Sequence, residues 1–164
     1  GFQPNLVTFN SILGACARVG DMKLANKWWK QMINMGQTPN SITYNTMIKV
    51  CAEARDAAAA LHWMKEMIKA GIAPCAVSFG TLIDVYAKLG QVHRAEDLFD
   101  KMAEVGVSAD KVIYNSVINA CAKAGCTIKA EHWFAKMKEA GFEPDEKTYN
   151  SLINACAKAN NVEL

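Results

Sequence analysis

Thr43-Tyr44-Asn45-Thr46 decides how this chain is read, because near-copies of it stand at Thr8-Phe9-Asn10-Ser11, Ser78-Phe79-Gly80-Thr81, Ile113-Tyr114-Asn115-Ser116 and Thr148-Tyr149-Asn150-Ser151. The aromatic falls at 9, 44, 79, 114 and 149, a step of 35 residues every time. A fixed period of this length marks a stacked repeat array in which each repeat is one supersecondary unit. The 164 residues, 51% of them apolar, hold about 4.5 such units.

Outward from the motif, each unit divides into two amphipathic segments. In the first, Phe9, Ile12, Leu13 and Cys16 follow the i, i+3, i+4, i+7 spacing of one helix face. The spacing returns as Tyr44/Met47/Ile48/Cys51, Phe79/Leu82/Ile83/Tyr86, Tyr114/Val117/Ile118/Cys121 and Tyr149/Leu152/Ile153/Cys156. The second segment repeats it with Ala25/Trp28/Trp29/Met32, Ala60/Trp63/Met64/Met67, Ala95/Leu98/Phe99/Met102 and Ala130/Trp133/Phe134/Met137. Gly20, Gly90 and Gly125 break between the two helices, with Asp21 and Asp56 as N-caps of the second. Gly36, Gly71, Gly106 and Gly141 end the second helix, and Pro39, Pro74 and Pro144 forbid its continuation, Ala109 replacing the proline once.

The pattern predicts an all-α fold: an α-solenoid, wound as a right-handed superhelix, of stacked antiparallel helix pairs, each too small to bury its own apolar face. Its units are 6–40, 41–75, 76–110, 111–145 and a partial fifth at 146–164, after a tail of a preceding repeat at 1–5, all in one continuous array. Gly1-Phe2-Gln3-Pro4-Asn5 matches Gly141-Phe142-Glu143-Pro144-Asp145, and Leu164 falls just inside a second helix, so an excerpt from a longer array is expected.

Composition removes several function classes. A net charge of +2 gives no strong overall field, so attraction to a polyanion must come from a local patch. No apolar run approaches the ~20 residues of a membrane span, and membrane insertion is not expected. Cys16, Cys51, Cys121 and Cys156 share one repeat position, which puts them about one interhelical distance apart, ~8–10 Å, beyond the ~7 Å reach of a disulfide. They read as small buried residues. No CxxC, close Cys/His pair or H-x-E…C-x-x-C pattern occurs, so no metal site, cofactor or catalytic residue is assigned.

A 35-residue helix pair that opens V-T-Y-N-[ST] and closes M-x-x-x-G-x-x-P-[DN] resembles the pentatricopeptide repeat family. Val7-Thr8-Phe9-Asn10-Ser11 with Met32, Gly36, Pro39 and Asn40 carries the pattern, and later units repeat it over essentially the whole chain. The tetratricopeptide repeat, with its 34-residue step and Trp/Leu-Gly/Tyr signature, does not fit.

The resemblance implies a single-stranded RNA binder of organelle RNA metabolism, in mitochondrion or chloroplast, with one base read per repeat. The family's two selector positions, the fifth residue and the last, fall on Asn10 with Asn40, Asn45 with Cys75, Gly80 with Asp110, and Asn115 with Asp145. Asn150 lacks a closing partner in this sequence, and Asn5 closes a unit whose start lies outside it. At ~100° per residue the stripe of Val7, Asn10, Gly14 and Arg18 lies roughly 150° from the core stripe, so it faces away from the packing. Along this stripe Val7, Ile42, Val77 and Val112 suit covering base faces, the Asn amides suit base edges, and Arg18, Lys88, Lys123 and Lys158 suit phosphates.

Departures blunt some units: Cys75 is a poor hydrogen-bonding partner, Gly80 has no side chain, Glu53 puts a negative charge at the phosphate position, and Lys147 replaces the apolar cover. The implied tract is a pyrimidine, two weakly specified bases, then uracil. The alternative is a scaffold whose inner face carries a protein partner in a larger organelle complex.

Other residues read as structural. Trp28, Trp29, Trp63 and Trp133, with the four equivalent methionines, fall on the second-helix packing stripe. His62, His93, His132, Asp97, Asp100, Glu131 and Lys136 fall on a solvated face. Helix-start chemistry competes with base reading at the fifth-position Asn residues, and helix C-terminal charge competes with phosphate binding at the lysines.

Overall fold

The computed structural model describes residues 4–160, and among these it contains only helices. The ends of the expected partial repeats, 1–3 and 161–164, lie outside the described residues. Two compact units divide the chain, Gly1–Thr81 and Leu82–Leu164. The first holds α1 (Leu6–Val19), α2 (Met22–Asn34), α3 (Ser41–Glu53), α4 (Ala57–Lys69) and the start of α5 (Ala76–Lys88). The second holds the rest of α5, then α6 (Val92–Glu104), α7 (Lys111–Lys123), α8 (Thr127–Glu139) and α9 (Glu146–Asn160).

The odd-numbered helices start at residues 6, 41, 76, 111 and 146, where the 35-residue period begins each unit. Connections of two or three residues inside a pair force the second helix back along the first. In the first unit α1 packs on α2 and α3, and α3 packs on α4; in the second, α7 packs on α8 and α9. The first helix of a pair therefore meets both its own partner and the next first helix. Phe9, Leu13, Met47, Ile48, Val117 and Ile118 are fully enclosed as a result.

Second helices bury a narrower stripe. Ala25, Ala60, Ala95 and Ala130 have no exposed surface, and Met32, Met67, Met102 and Met137 are equally enclosed. The small side chain admits the neighbouring backbone, and the flexible thioether fills what remains. Tryptophans complete the packing: Trp29 lies edge-on to Tyr44 at 5.1 Å and to Trp63 at 4.5 Å. Phe99, Tyr114 and Trp133 repeat that three-ring cluster at 5.1 and 4.6 Å. These rings are spent on the core, as the spacing predicts. Lys136 departs from the expected solvated role, since its ammonium sits 4.5 Å over the Trp133 ring.

Burial disarms two of the cysteines, pushing the thiol pKa up to about 11 at Cys51 and about 12 at Cys121. All six cysteines are free. Cys156 does not follow the expected burial. On α9 the same stripe, Tyr149, Ile153 and Cys156, is exposed, although the Tyr149 ring still meets Phe134 of α8 at 5.7 Å.

The turns explain the punctuation. At the end of α2 the Gly36 N–H donates to the Ile33 carbonyl and the Gln37 N–H to that of Met32, a Schellman closure that places Gly36 at φ +72°. Within each pair the left-handed residue recurs at 20, 55, 90 and 125, and in the second repeat it is Arg55, at φ 57°. Sequence reading missed this, because the glycine signal is absent there. Asp21 and Asp56 cap α2 and α4 through bonds of 2.9 Å from the backbone N–H of Leu24 and Ala59. Gln91 and Cys126 occupy the same register without such a bond.

A non-glycine left-handed residue is strained by about 1 kcal/mol, so Arg55→Gly should raise unfolding stability by ~0.5–1 kcal/mol in urea titrations. Gly20→Ala should lower it, since the added Cβ would sit 3.0 Å from the Ala54 nitrogen at φ +67°. Replacing Gln91 by Asp should add about 1 kcal/mol by the same titration.

Candidate nucleic-acid interface

The first helices present a face that the packing leaves open. Its apolar members stand out in water, with Val7, Ile42, Val77 and Val112 between 59% and 70% exposed. Each of these repeats exposes one aliphatic side chain at the same register. Beside them Asn10, Asn45 and Asn115 are half-buried, and Asn150 is exposed.

Asn5, Asn40, Asp110 and Asp145 among the closing residues have a structural duty that sequence reading assigned elsewhere. Asn5 caps α1 by accepting the Thr8 N–H at 3.0 Å. Asn40 caps α3 through Thr43 at 3.1 Å, in a reciprocal capping box. Asp110 caps α7 through Ile113 at 2.9 Å, and Asp145 accepts the Thr148 N–H at the start of α9 at 3.1 Å. Helix-start chemistry, weighed above against base reading at the fifth residue, belongs to the last residue of the preceding repeat. At Cys75 the thiol is a weaker acceptor, and the Cys75 N–H donates to Ser78 Oγ at 3.2 Å, as the Asp145 N–H does to Thr148 Oγ1 at 3.1 Å.

Fifth and closing residues meet in two repeats. Asn45 Nδ2 points at Cys75 Sγ at 3.6 Å, and Asn115 Nδ2 at Asp145 Oδ1 at 3.5 Å. In both, a hydroxyl from the next repeat holds the amide: Ser78 Oγ donates to Asn45 Oδ1 at 2.6 Å, and Thr148 Oγ1 to Asn115 Oδ1 at 2.7 Å. Asn10 differs. The equivalent Thr43 hydroxyl donates to Asn40 Oδ1 at 3.0 Å, and the buried Asn10 Oδ1 has no protein partner. Gly80 and Asp110 fall in different compact units. Sequence reading passed over the hydroxyls, although a buried Thr or Ser at a fixed register was the available signal.

Around Asn115 the surface opens into a groove of about 480 Å³ lined by Lys111, Val112, Asn115, Asp145, Lys147 and Asn150, among others. Its size suits a small planar group. The basic ladder is more engaged than expected: Lys123 Nζ donates to the Lys88 carbonyl at 3.3 Å and Lys158 Nζ to the Lys123 carbonyl at 2.9 Å. Lys88 pairs with Asp84 at 2.8 Å. These lysines serve the C-terminal carbonyls of neighbouring first helices, and an ammonium so bonded still has protons to offer. Arg18 and Glu53 are exposed. His62, His93 and His132 are exposed on second helices, and among the described residues no three His, Cys, Asp or Glu side chains gather as a metal site. No described helix is long and apolar enough to cross a membrane.

The model of the PPR repeat family matches residues 4–53, 74–123 and 109–158, and that of the pentatricopeptide repeat domain matches 42–89. The chain belongs to the pentatricopeptide repeat family. Maize PPR10 is 30% identical, with a TM-score of 0.74, over 98% of this chain and 23% of that one. The same protein in complex with an 18-nucleotide psaJ RNA element gives a TM-score of 0.87 at 25% identity, over 99% of this chain and 24% of that one. The PPR domain of Arabidopsis thaliana protein-only RNase P 1, in complex with tRNA, matches at 18% identity and a TM-score of 0.78, over 94% of this chain and 82% of that domain. No curated protein matches the sequence. The fold of this pentatricopeptide repeat chain is thus an α-solenoid of helix pairs, and the chain spans about a quarter of PPR10.

Electrostatics separate the two amide sites of this repeat protein. At Asp145 the backbone N–H of Thr148, together with Lys111 at 3.2 Å, holds the carboxyl down at about 2. At Cys75 partial burial pushes the thiol pKa up, but hydrogen bonds from Ser78, Val77 and Asn45 outweigh it and leave it lowered. Because the folded-state pKa of Asp145 lies below its ordinary 3.8, its contribution to stability is complete above about pH 4 and lost as pH falls towards 2. The stability gap between wild type and Asp145→Asn, measured by urea unfolding, should therefore shrink across that window.

Proposed function

We propose that this chain binds single-stranded RNA with sequence preference, about one base per repeat, along the open face of its first helices. The observation that carries the reading is the recurrence of one arrangement at one register: a fixed amide from the fifth residue beside the closing residue, flanked by a protruding aliphatic side chain. An amide edge discriminates base edges, and aliphatic side chains cover base faces without regard to sequence. Family membership supports it, as do the RNA-bound PPR10 and the tRNA-bound PPR domain among the similar structures.

Asn10/Asn40, Asn45/Cys75, Gly80/Asp110 and Asn115/Asp145 are the reading pairs, with Asn5 and Asn150 as halves of pairs at either end. Val7, Ile42, Val77 and Val112 cover bases, while Arg18, Lys88, Lys123 and Lys158 meet phosphates. The preferred tract is a pyrimidine, two weakly specified bases and uracil. The chain acts by binding and without catalysis, in the organelle RNA metabolism typical of the family, in mitochondrion or chloroplast.

Fluorescence anisotropy with short RNAs varied one base at a time tests this. Asn115→Thr should move the preference at one position and leave the others. With about four phosphate contacts, log K should fall against log salt with a slope near −3. A protein with no RNA affinity, or a variant with an unchanged profile, would sink the reading.

A further inference from the structure

Resting on that RNA-binding reading, we propose that the third-position hydroxyl, where it bonds the fifth-residue amide of the repeat before it, is a specificity-determining residue for that earlier repeat. Ser78 acts for Asn45 and Thr148 for Asn115, each fixing which end of the amide faces the RNA.

An asparagine side chain is nearly symmetric in shape, and its terminal torsion is broad and roughly two-fold. Left alone, such an amide can present an acceptor to one base and, after a half-turn, a donor to another. Ser78 and Thr148 remove that freedom. Both hydroxyls are fully buried, so each needs its partners within the protein. Each already accepts a backbone N–H, from Cys75 at 3.2 Å and from Asp145 at 3.1 Å. The nearest acceptor for the hydroxyl proton is then the amide oxygen, at 2.6 Å for Asn45 and 2.7 Å for Asn115, with Asp145 Oδ1 farther from the Thr148 hydroxyl at 3.0 Å.

With Oδ1 held, Nδ2 must lie on the other side. One of its protons points towards the closing residue and the second is left for the groove. The fifth residue then acts only as a donor, and the base it accepts must offer an acceptor, as the carbonyl oxygens of pyrimidines do. At Asn115 the adjacent Asp145 carboxylate supplies the complementary acceptor for a base N–H, and uracil carries both groups on one edge.

Two features of the same chain support a working pair over coincidental packing. The third-position hydroxyl is replaced once, by Ile113, in the repeat that follows the one whose fifth residue is Gly80. Where no amide needs holding, no hydroxyl is supplied. In the first repeat the Thr43 hydroxyl bonds Asn40 Oδ1 at 3.0 Å, as Thr148 also bonds Asp145, but it makes no bond to Asn10, whose Oδ1 is left buried and unpartnered. The amide of Asn10 is thus not locked, and its base should be the less sharply chosen.

Thr148→Val keeps the side-chain shape and removes the hydroxyl. Against short RNAs varied at the base opposite Asn115, it should lose about tenfold of the discrimination for uracil, the worth of an ordinary hydrogen bond. Thr148→Ser should restore the discrimination, and the salt slope should not change in either. A purely structural role would lower affinity for all RNAs alike and leave the ratio between bases intact, and that result overturns the proposal. Should Thr148→Val fail to fold by circular dichroism, Thr148→Ala gives the same reading at the base opposite Asn115: a lost ratio supports the proposal and an unchanged one overturns it. Wild-type protein that binds no RNA removes the underlying reading as well, whereas wild-type binding with an unaltered ratio in the variant removes this inference alone.

Discussion

A pair of helices of about a dozen residues cannot enclose its own apolar surface, and everything else in this protein follows from that limit. The first helices carry apolar residues on more than one side and need neighbours on each. The fully enclosed Ala25, Ala60, Ala95 and Ala130 sit where a larger side chain would hold helices apart. Because the next pair must dock in the same way, the sequence is bound to repeat the same shape at the same interval. Residues on the open side are free of that demand and can vary, which is what a surface needs if successive repeats are to prefer different partners.

The period and the two helix stripes could be read from residues because packing geometry is local and periodic. Phe9, Leu13 and Cys16 had to fall on one face for any helix with that sequence, whatever surrounded it. Arg55 shows where this fails: a left-handed turn residue is visible when it is glycine and invisible when the fold imposes the same conformation on arginine. Exposure of Cys156 was equally hidden, since burial depends on whether a neighbour covers the face. At the open face, the spacing located Asn45 and Asn115, but not their partners. A hydrogen bond between Ser78 and Asn45 spans 33 residues and depends on two helices meeting at a given height.

The closing position carries two demands at once. Asp145 starts a helix and stands beside the amide of Asn115, so its carboxylate is drawn towards a backbone N–H, a lysine and the groove together. A residue that caps well must be short, polar and able to accept, which narrows this position to Asn, Asp, Ser and Thr. In a binding site those same types carry the acceptors and donors that tell one base edge from another. The closing position is therefore held to one small set of side chains, and Cys75, whose thiol is a weak acceptor, is its poorest hydrogen-bonding member.

The lysines make the same point from the other side. Lys123 and Lys158 neutralise helix C-termini, donating to carbonyls of the neighbouring first helix. That bond fixes where each ammonium sits, at intervals set by the repeat. A flexible exposed lysine would have to lose its side-chain entropy on meeting a phosphate, whereas one already tethered to the scaffold has lost much of it during folding. The repeat thus converts a stabilising contact into an evenly spaced row of positive charge, and the spacing follows from the packing of the first helices.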